Sequence, residues 1–204
     1  MNAVFDAVAD GLAEHGYAVV NQFLSQTEVD AILQLEEFQK GISSFKKAGI
    51  GNSKSLQIQE GIRGDYIQWL DKKNSPPSIL IYLNRLDNMI QFLNQALFLS
   101  LKDYEVHMTA YPVGSFYKRH LDQFKQNDHR KLSVICYLNN DWKEEHGGQL
   151  RMYLPDHSLD VLPTAGRLVI FRSDQIEHEV LPATRQRLSI TGWVLDQLVD
   201  LKNL

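Results

Sequence analysis

The stretch RLVIFRSDQIEHEVLPATRQRLSITGW, residues 167–193, decides most about the fold of this 204-residue chain. It begins and ends with runs rich in β-branched and aromatic residues, Arg167–Phe171 and Arg187–Val194, which are typical of short β-strands. Because side chains alternate between the two faces of a strand, one face of the second run carries every other residue. Those residues are Arg187, Ser189, Thr191 and Trp193.

The same texture recurs upstream, in three further runs that are separated by turn clusters of Gly, Pro and Asn. The runs are Val106–Tyr111, Leu132–Leu138 and Gln149–Leu154. Many short strands of this kind predict a β-sandwich or a β-barrel.

The first hundred residues carry helical signals instead. Apolar residues recur at helical spacing between Val4 and Leu12, and a capping-box pattern at Ser25–Glu28 opens a helix that we expect to reach Phe38. Pro76-Pro77 precedes a third helix. The sequence therefore predicts a mainly β fold with helical support (α+β). We expect a single domain over 1–204, with 1–100 mostly helical support and 101–204 the β core.

The composition of the chain excludes several classes of protein. A net charge of -4 argues against binding to nucleic acid, which needs a basic surface. Cys136 is the only cysteine, so no intramolecular disulfide forms. The first residues, MNAVFDAVADGL, are acidic and have no cationic region before an apolar stretch, so we expect no signal peptide. We expect no membrane association, since no apolar stretch approaches the roughly 20 residues that span a bilayer. A cytoplasmic location and a monomer are the remaining expectations.

A polar, glycine-containing stretch over about 41–75 separates the second and third helices. It includes Ile62–Trp69, which reads either as a pair of strands or as a mobile loop. Loops of this length are often covers over a functional site, although a plain surface excursion fits the composition equally well.

Two histidines and one aspartate form the candidate metal site. His120 and Asp122 are two residues apart, so on an extended chain both side chains point to one face and reach one ion. His178 follows the strand-like run at 167–171 after a short polar turn. Two histidines and one carboxylate on one side of an ion leave three coordination positions open, which suits a non-haem Fe(II) oxygenase.

Arg187 lies nine residues after His178, in the last predicted strand. If this side chain faces the interior, its guanidinium group can hold a carboxylate through two parallel hydrogen bonds. A buried arginine without an acidic neighbour is costly, and a dicarboxylate ligand would supply the missing counter-charge. An arginine at a strand edge facing water is the alternative.

The order of these groups resembles that of the 2-oxoglutarate/Fe(II) dioxygenases. More closely, the chain is similar to the hypoxia-inducible-factor prolyl hydroxylases and their bacterial relatives. The similarity extends over nearly the whole chain and keeps the order of the motifs. The matching stretches are His15–Val20, Ile62–Asp65 with Trp69, Tyr111-Pro112, Tyr117–Asp122, Tyr137–Asn139 with Asp141-Trp142, Gly147-Gly148, and His178–Pro182 through Arg187 to Trp193.

The resemblance implies a double-stranded β-helix (jelly-roll) core with the N-terminal helices packed on the larger sheet. It implies Fe(II) as the metal, 2-oxoglutarate and O2 as co-substrates, and ascorbate as a candidate reductant. The residues implied as metal ligands are His120, Asp122 and His178. Those implied to bind 2-oxoglutarate are Arg187, Tyr137, Thr191 and Tyr111.

The resemblance also implies the substrate, a prolyl residue of an intracellular protein that is hydroxylated at C4. A transcription or translation factor is the kind of partner on which relatives act. The stretch Ile62–Trp69 corresponds to the mobile loop that folds over the peptide substrate. The residues implied to contact the substrate are Arg63, Asp65, Trp69 and Arg130; the loop before the last of these is about one residue longer here than in the family.

Three other readings of the same residues stay open. The first is another reaction of the superfamily, such as hydroxylation of a free amino acid or demethylation, although the loop Ile62–Trp69 favours a peptide. The second is a metal-binding jelly roll that senses a ligand without turnover, and the third is zinc hydrolysis. Neither of the last two explains Arg187.

Overall fold

The computed structural model describes residues 2–49, 61–123 and 128–199. Its α-helices are α1 (Asn2–His15), α2 (Gln26–Leu33), α3 (Glu36–Gln39) and α4 (Pro77–Leu97), and two short 3-10 helices cover Gly41–Ser44 and Glu144–His146. Its strands are β1 (Tyr17–Val20), β2 (Lys46–Lys47), β3 (Tyr66–Trp69), β4 (Asp103–Tyr111), β5 (Tyr117–His120), β6 (Arg130–Tyr137), β7 (Leu150–Tyr153), β8 (Ser158–Val161), β9 (Leu168–Arg172), β10 (Glu177–Val180) and β11 (Arg187–Leu195).

The strands form two antiparallel sheets. Seven strands make the larger sheet, in the order β1-β9-β6-β11-β4-β3-β2, and four make the smaller sheet, in the order β5-β10-β7-β8. An apolar core fills the space between them, with Ile135 and Phe171 from the larger sheet packing with Leu150 and Met152 from the smaller one. This arrangement is the jelly roll that the sequence resemblance implied, and it confirms the predicted mainly β fold class.

The helices cover the outer face of the larger sheet. Apolar side chains of α1, α2 and α4 pack there against residues such as Val134, Ile170 and Ile190, and every one of these three is fully buried. The prediction that the N-terminal helices support one sheet is therefore confirmed. Alternation along each strand leaves the opposite, inner face of the sheet to line the space between the sheets.

The second predicted helix is shorter than expected. It begins with the expected capping box, in which Ser25 and Glu28 bond reciprocally, but it ends at Leu33. Leu35 then adopts an extended conformation (φ -61°, ψ 141°) and α3 starts after it. Phe38, in α3, packs on Phe45 with ring centroids 5.7 Å apart.

Two parts of the stretch at 41–75, β2 and β3, belong to the larger sheet. Strand β3 pairs with β4, and β2 pairs with β3 at the sheet edge. The strand-pair reading of Ile62–Trp69 therefore holds for its second half, where Ile67 lies opposite Thr109 and Trp69 opposite His107. Residues 50–60 of the predicted stretch at 41–75 lie outside the described residues.

Candidate metal centre and anion pocket

The three predicted metal ligands come together at the mouth of the smaller sheet. Strands β5 and β10 are antiparallel neighbours, and His120 lies directly opposite His178 in their register. Asp122 follows β5 by two residues, so its carboxylate turns towards both imidazoles. The Nε2 atom of His120 lies 3.3 Å from Oδ1 of Asp122, and Nε2 of His178 lies 3.5 Å from Oδ2.

Both imidazoles are oriented by the backbone of their own strands. The Nδ1 atom of His120 lies 2.6 Å from the carbonyl oxygen of Lys118, and Nδ1 of His178 lies 3.2 Å from that of Ile176. A carbonyl oxygen only accepts, so each Nδ1 donates, and in the tautomer that this bond selects Nε2 is the nitrogen that can bind a metal. Nε2 of His120 is buried and has no hydrogen-bond partner among the described residues.

Ser133 holds the carboxylate of Asp122, and Ser173 supports Ser133. Neither serine was among the predicted site residues. Ser133 donates a hydrogen bond of 2.6 Å to Oδ2 of Asp122, and Ser173 lies 2.8 Å from Ser133. Because the one hydroxyl proton of Ser133 points at the carboxylate, Ser173 must donate to Ser133. Alternation in β6 was the available signal, since Ser133 shares the inner face with Tyr137.

The titration behaviour of these groups suits metal binding. Burial would raise the pKa of the Asp122 carboxyl, but His178, His120 and Ser133 together lower it well below its usual range. Burial lowers the pKa of His178 to about 4. At neutral pH the site therefore offers one carboxylate and unprotonated imidazole, which are the forms that coordinate a cation.

The separation of the donor atoms matches a single ion. The three candidate ligand atoms all lie within 4.8 Å of one another. Bonds of about 2.1 Å at right angles place neighbouring donor atoms about 3 Å apart, close to the separations found here. Two histidines and one carboxylate on one side are the donor set of non-haem Fe(II) sites. The residues therefore fit iron.

Arg187 is the second unusual feature of the interior. It begins β11, faces the inner side of the sheet opposite Tyr111, and is only 2% exposed. Its guanidinium carbon lies 4.9 Å from the ring centroids of both Tyr111 and Tyr137. Gly148 packs beside it, since a Cβ there would lie 3.5 Å from Cδ of Arg187 and 2.9 Å from Cβ of Ala183.

Several polar atoms around Arg187 are buried without a partner among the described residues. They include Nε of Arg187 and the hydroxyl oxygen of Tyr137. None of the carboxylates in the described part of the chain forms an ion pair with Arg187. A buried cation and a hydroxyl in this state are costly unless an anion satisfies both, so the geometry fits a carboxylate ligand.

Thr191 lies on the same inner face as Arg187, two positions beyond Ser189, to which it is hydrogen-bonded at 3.0 Å. The larger sheet thus presents a polar strip between the guanidinium group at one end and the rings of Trp69 and Trp193 at the other. Thr109 adds a buried hydroxyl to this strip that has no partner within the described residues.

The residues predicted to contact the substrate form two separate groups of side chains. Arg63 and Asp65 bind each other through two hydrogen bonds of 2.7 and 2.5 Å, and Asp65 is 1% exposed. Arg130 instead pairs with Glu105 and lies 3.4 Å over the ring of Trp193.

Trp69 lies near Trp193, the ring over which Arg130 is placed. Its ring lies 6.5 Å from that of Trp193 and packs edge-on against His107, 4.7 Å away. The Nδ1 atom of His107 is buried with no partner among the described residues, and burial lowers its pKa to about 3. Arg130 and Trp69 therefore lie at one aromatic cluster, whereas Arg63 and Asp65 lie beside β5.

Comparison with known proteins gives a consistent result. The model of the 2OG-Fe(II) oxygenase superfamily matches residues 106–195. A hypoxia-inducible factor prolyl hydroxylase of Caenorhabditis elegans is 30% identical over 207 residues, and the match covers 95% of this chain. It covers only 28% of the worm protein, so the chain spans less than a third of that curated relative.

Two solved structures are similar in both fold and sequence. A prolyl-4-hydroxylase from Pseudomonas putida has a TM-score of 0.85 and 42% identity, and the match covers 95% of this chain and all of that chain (100%). A prolyl hydroxylase from Trichoplax adhaerens, solved in complex with a peptide fragment of the hypoxia inducible factor oxygen degradation domain, has a TM-score of 0.84 and 28% identity. That match covers 95% of this chain and 90% of the other.

Among the described residues, no helix combines the length and the apolar character needed to cross a membrane.

Proposed function

The chain belongs to the 2OG-Fe(II) oxygenase superfamily, and from this premise we propose that it hydroxylates a prolyl residue of a protein at C4. The reaction consumes 2-oxoglutarate and O2 and yields succinate and CO2. The observation that carries the proposal is the pairing of a His-Asp-His metal site with a buried arginine that lacks a counter-charge.

Bound Fe(II) would supply the redox chemistry that couples oxidation of 2-oxoglutarate by O2 to insertion of one oxygen atom into a substrate C–H bond. The residues that would hold the iron are His120, Asp122 and His178. Their task is to fix the donor atoms, through the backbone carbonyls at Nδ1 of each histidine and the Ser133 hydroxyl at the carboxylate.

Arg187 and Tyr137 would bind the distal carboxylate of 2-oxoglutarate. The guanidinium fork offers two parallel donors, and the tyrosine hydroxyl, whose pKa is raised mainly by burial, stays protonated and donates as well. Tyr111, which lies opposite Arg187 in the register of β4 and β11, would border this end of the pocket. Thr191, four residues further along the same face of β11, would line the pocket nearer to His107. The apolar core between the sheets keeps water from these contacts, which strengthens them.

Three observations support a prolyl residue in a protein as the substrate. Two relatives that match most of this chain are named as prolyl hydroxylases, and one of them was solved with a peptide. The segment from 61 to 69 lies beside the metal site, where a peptide would need cover. Arg63, Trp69 and Arg130 offer charged and aromatic groups there, whereas Asp65 would act through Arg63, which it holds.

The competing readings make different demands on Arg187. A sensor without turnover or a zinc hydrolase does not need a buried guanidinium group facing a buried tyrosine hydroxyl. Hydroxylation of a free amino acid and demethylation share the 2-oxoglutarate pocket and differ only at the substrate. For the target we propose an intracellular protein of the transcription or translation machinery.

The test is a hydroxylation assay on a library of proline-containing peptides, with Fe(II), 2-oxoglutarate, ascorbate and O2. Asp122→Ala, which removes one ligand, is the matched control. The expected result is a gain of one oxygen atom on a prolyl residue, identified as 4-hydroxyproline by amino-acid analysis, with equal succinate formation. Modification of a different residue, or release of formaldehyde, would replace the proposal with another oxygenase reaction.

A further inference from the structure

The segment that precedes β3, here called the covering segment (residues 61–65), lies along β5. The backbone N–H of Gly64 donates to the carbonyl of Phe116 at 3.0 Å, and that of Lys118 donates to the carbonyl of Ile62 at 2.9 Å. These bonds attach the covering segment to the strand that ends in His120.

Arg63 fixes the covering segment through its side chain. Its guanidinium group binds Asp65 through two hydrogen bonds and the carbonyl oxygen of Gly49 at 3.2 Å. The same group lies over the ring of Tyr117, with 4.4 Å between the guanidinium carbon and the ring centroid. The aromatic ring attracts the cation, so the position of Arg63 and the plane of Tyr117 depend on each other.

Tyr117 in turn contacts the metal site. Its ring is stacked on the imidazole of His120, with centroids 3.6 Å apart and an interplanar angle of 19°. A second connection runs through the backbone of Lys118. Its carbonyl oxygen accepts a hydrogen bond from Nδ1 of His120, and its N–H donates one to the carbonyl oxygen of Ile62. Both connections start in the covering segment and end on the same imidazole.

We infer that Tyr117 is a positioning residue, which transmits the placement of Arg63 in the covering segment to the iron ligand His120. The carbonyl of Lys118 fixes one atom of the imidazole and leaves the ring free to rotate about that bond. The stacked tyrosine removes this freedom and sets the plane in which Nε2 faces the metal. Docking of the covering segment, and of a substrate that holds it, thereby tightens the metal site.

This inference rests on the proposed function, since it takes His120 as a metal ligand. Groups that orient a ligand typically change metal affinity by about 10- to 100-fold when they are removed. Because Tyr117 adds to an existing hydrogen bond at Nδ1, we expect the lower end of that range.

The experiment measures Mn(II) affinity by electron paramagnetic resonance, with Co(II) absorption as a second readout of ligand geometry. Tyr117→Leu removes the aromatic ring, and Tyr117→Phe is the matched control that keeps it. The variant R63M/D65N removes the guanidinium group together with its buried partner, so that no charge is left unpaired. The fourth protein combines Tyr117→Leu with R63M/D65N.

We expect Tyr117→Leu to weaken Mn(II) binding about tenfold and Tyr117→Phe to leave it within about twofold. R63M/D65N should weaken binding and shift the Co(II) spectrum when Tyr117 is present, and should have a clearly smaller effect in the Tyr117→Leu background, where only the backbone connection through Lys118 remains. Equal affinities of the Phe and Leu variants, or fully additive effects, would overturn the inference.

If Tyr117→Leu does not fold, R63M/D65N alone decides, and unchanged Mn(II) affinity in that variant refutes the relay. Failure of the unaltered protein to bind Mn(II) would instead count against the proposed function. The two failures are therefore distinguishable.

Discussion

Ser133→Ala tests how much of the metal site depends on a residue that never touches the metal. Ser133 is 1% exposed and donates a hydrogen bond of 2.6 Å to Asp122. A hydrogen bond to a charged group contributes about 1.5–3 kcal/mol, and each 1.4 kcal/mol corresponds to a factor of ten. Metal affinity should therefore fall by about one to two orders of magnitude, in line with other groups that orient ligands.

The assay is calorimetric titration of the metal-free protein with Mn(II), together with thermal unfolding of each variant. Ser189→Ala is the matched control, because Ser189 is also fully buried on the inner face but contacts Thr191 instead of a ligand. The control should bind Mn(II) like the unaltered protein. If Ser133→Ala binds Mn(II) within about twofold of the control, the hydrogen bond to Asp122 does not stabilise the site and the reasoning fails.

Two further predictions concern the anion pocket and the buried histidines. Arg187→Met should weaken 2-oxoglutarate binding by about 100-fold or more while leaving Mn(II) affinity nearly unchanged, because it deletes only the counter-charge of the distal carboxylate; equal 2-oxoglutarate affinity in a fluorescence titration would remove Arg187 from the pocket. Burial lowers the pKa of His107 to about 3, below that of an unfolded histidine, so the unfolded state binds the proton more readily between pH 6.5 and 3. The free energy of unfolding of the metal-free protein should therefore decrease as the pH is lowered from 6.5 to 3. The decrease should be up to about 1.4 kcal/mol per pH unit for each such histidine. His107→Leu should give a shallower pH dependence in urea unfolding, and identical slopes would contradict the burial of a neutral imidazole.

Alternation in sequence was sufficient to predict the long strands and what they carry. In β11 it placed Arg187 on one face with Ser189 and Thr191, and the structure has that face turned inward. The same rule, applied to β6, would also have placed Ser133 beside Tyr137. The strand signal works here because each of these runs is eight or nine residues long and buried on both sides.

The bounds of the short strands that carry the candidate metal ligands were not predicted, although His120 and Asp122 were expected on an extended chain. Strand β5 reads YKRH and β10 reads EHEV, and neither has enough apolar residues for a period-2 pattern. Their pairing depends on the rest of the sheet. The ligands were identified from residue type, order and resemblance instead, and their meeting at one point is confirmed by the structure.

Contacts between distant segments were beyond the reach of local patterns. Nothing in the spacing of Arg63 and Tyr117 indicates that one lies over the other, because the contact requires β3 and β5 to be placed by separate sheets. The same holds for Glu105, which is the partner of Arg130 across 25 residues of chain. The break between α2 and α3 was likewise not predicted, and α3 carries Phe38 in contact with Phe45.

An anaerobic titration with Fe(II) and then 2-oxoglutarate, followed by visible absorption, tests the central claim most directly. The account predicts a charge-transfer band that requires both additions, is lost in Asp122→Ala, and disappears on exposure to O2 as succinate forms. Tight metal binding without such a band, or a band that persists in O2 without succinate, would contradict the assignment of this chain as a 2-oxoglutarate-dependent dioxygenase.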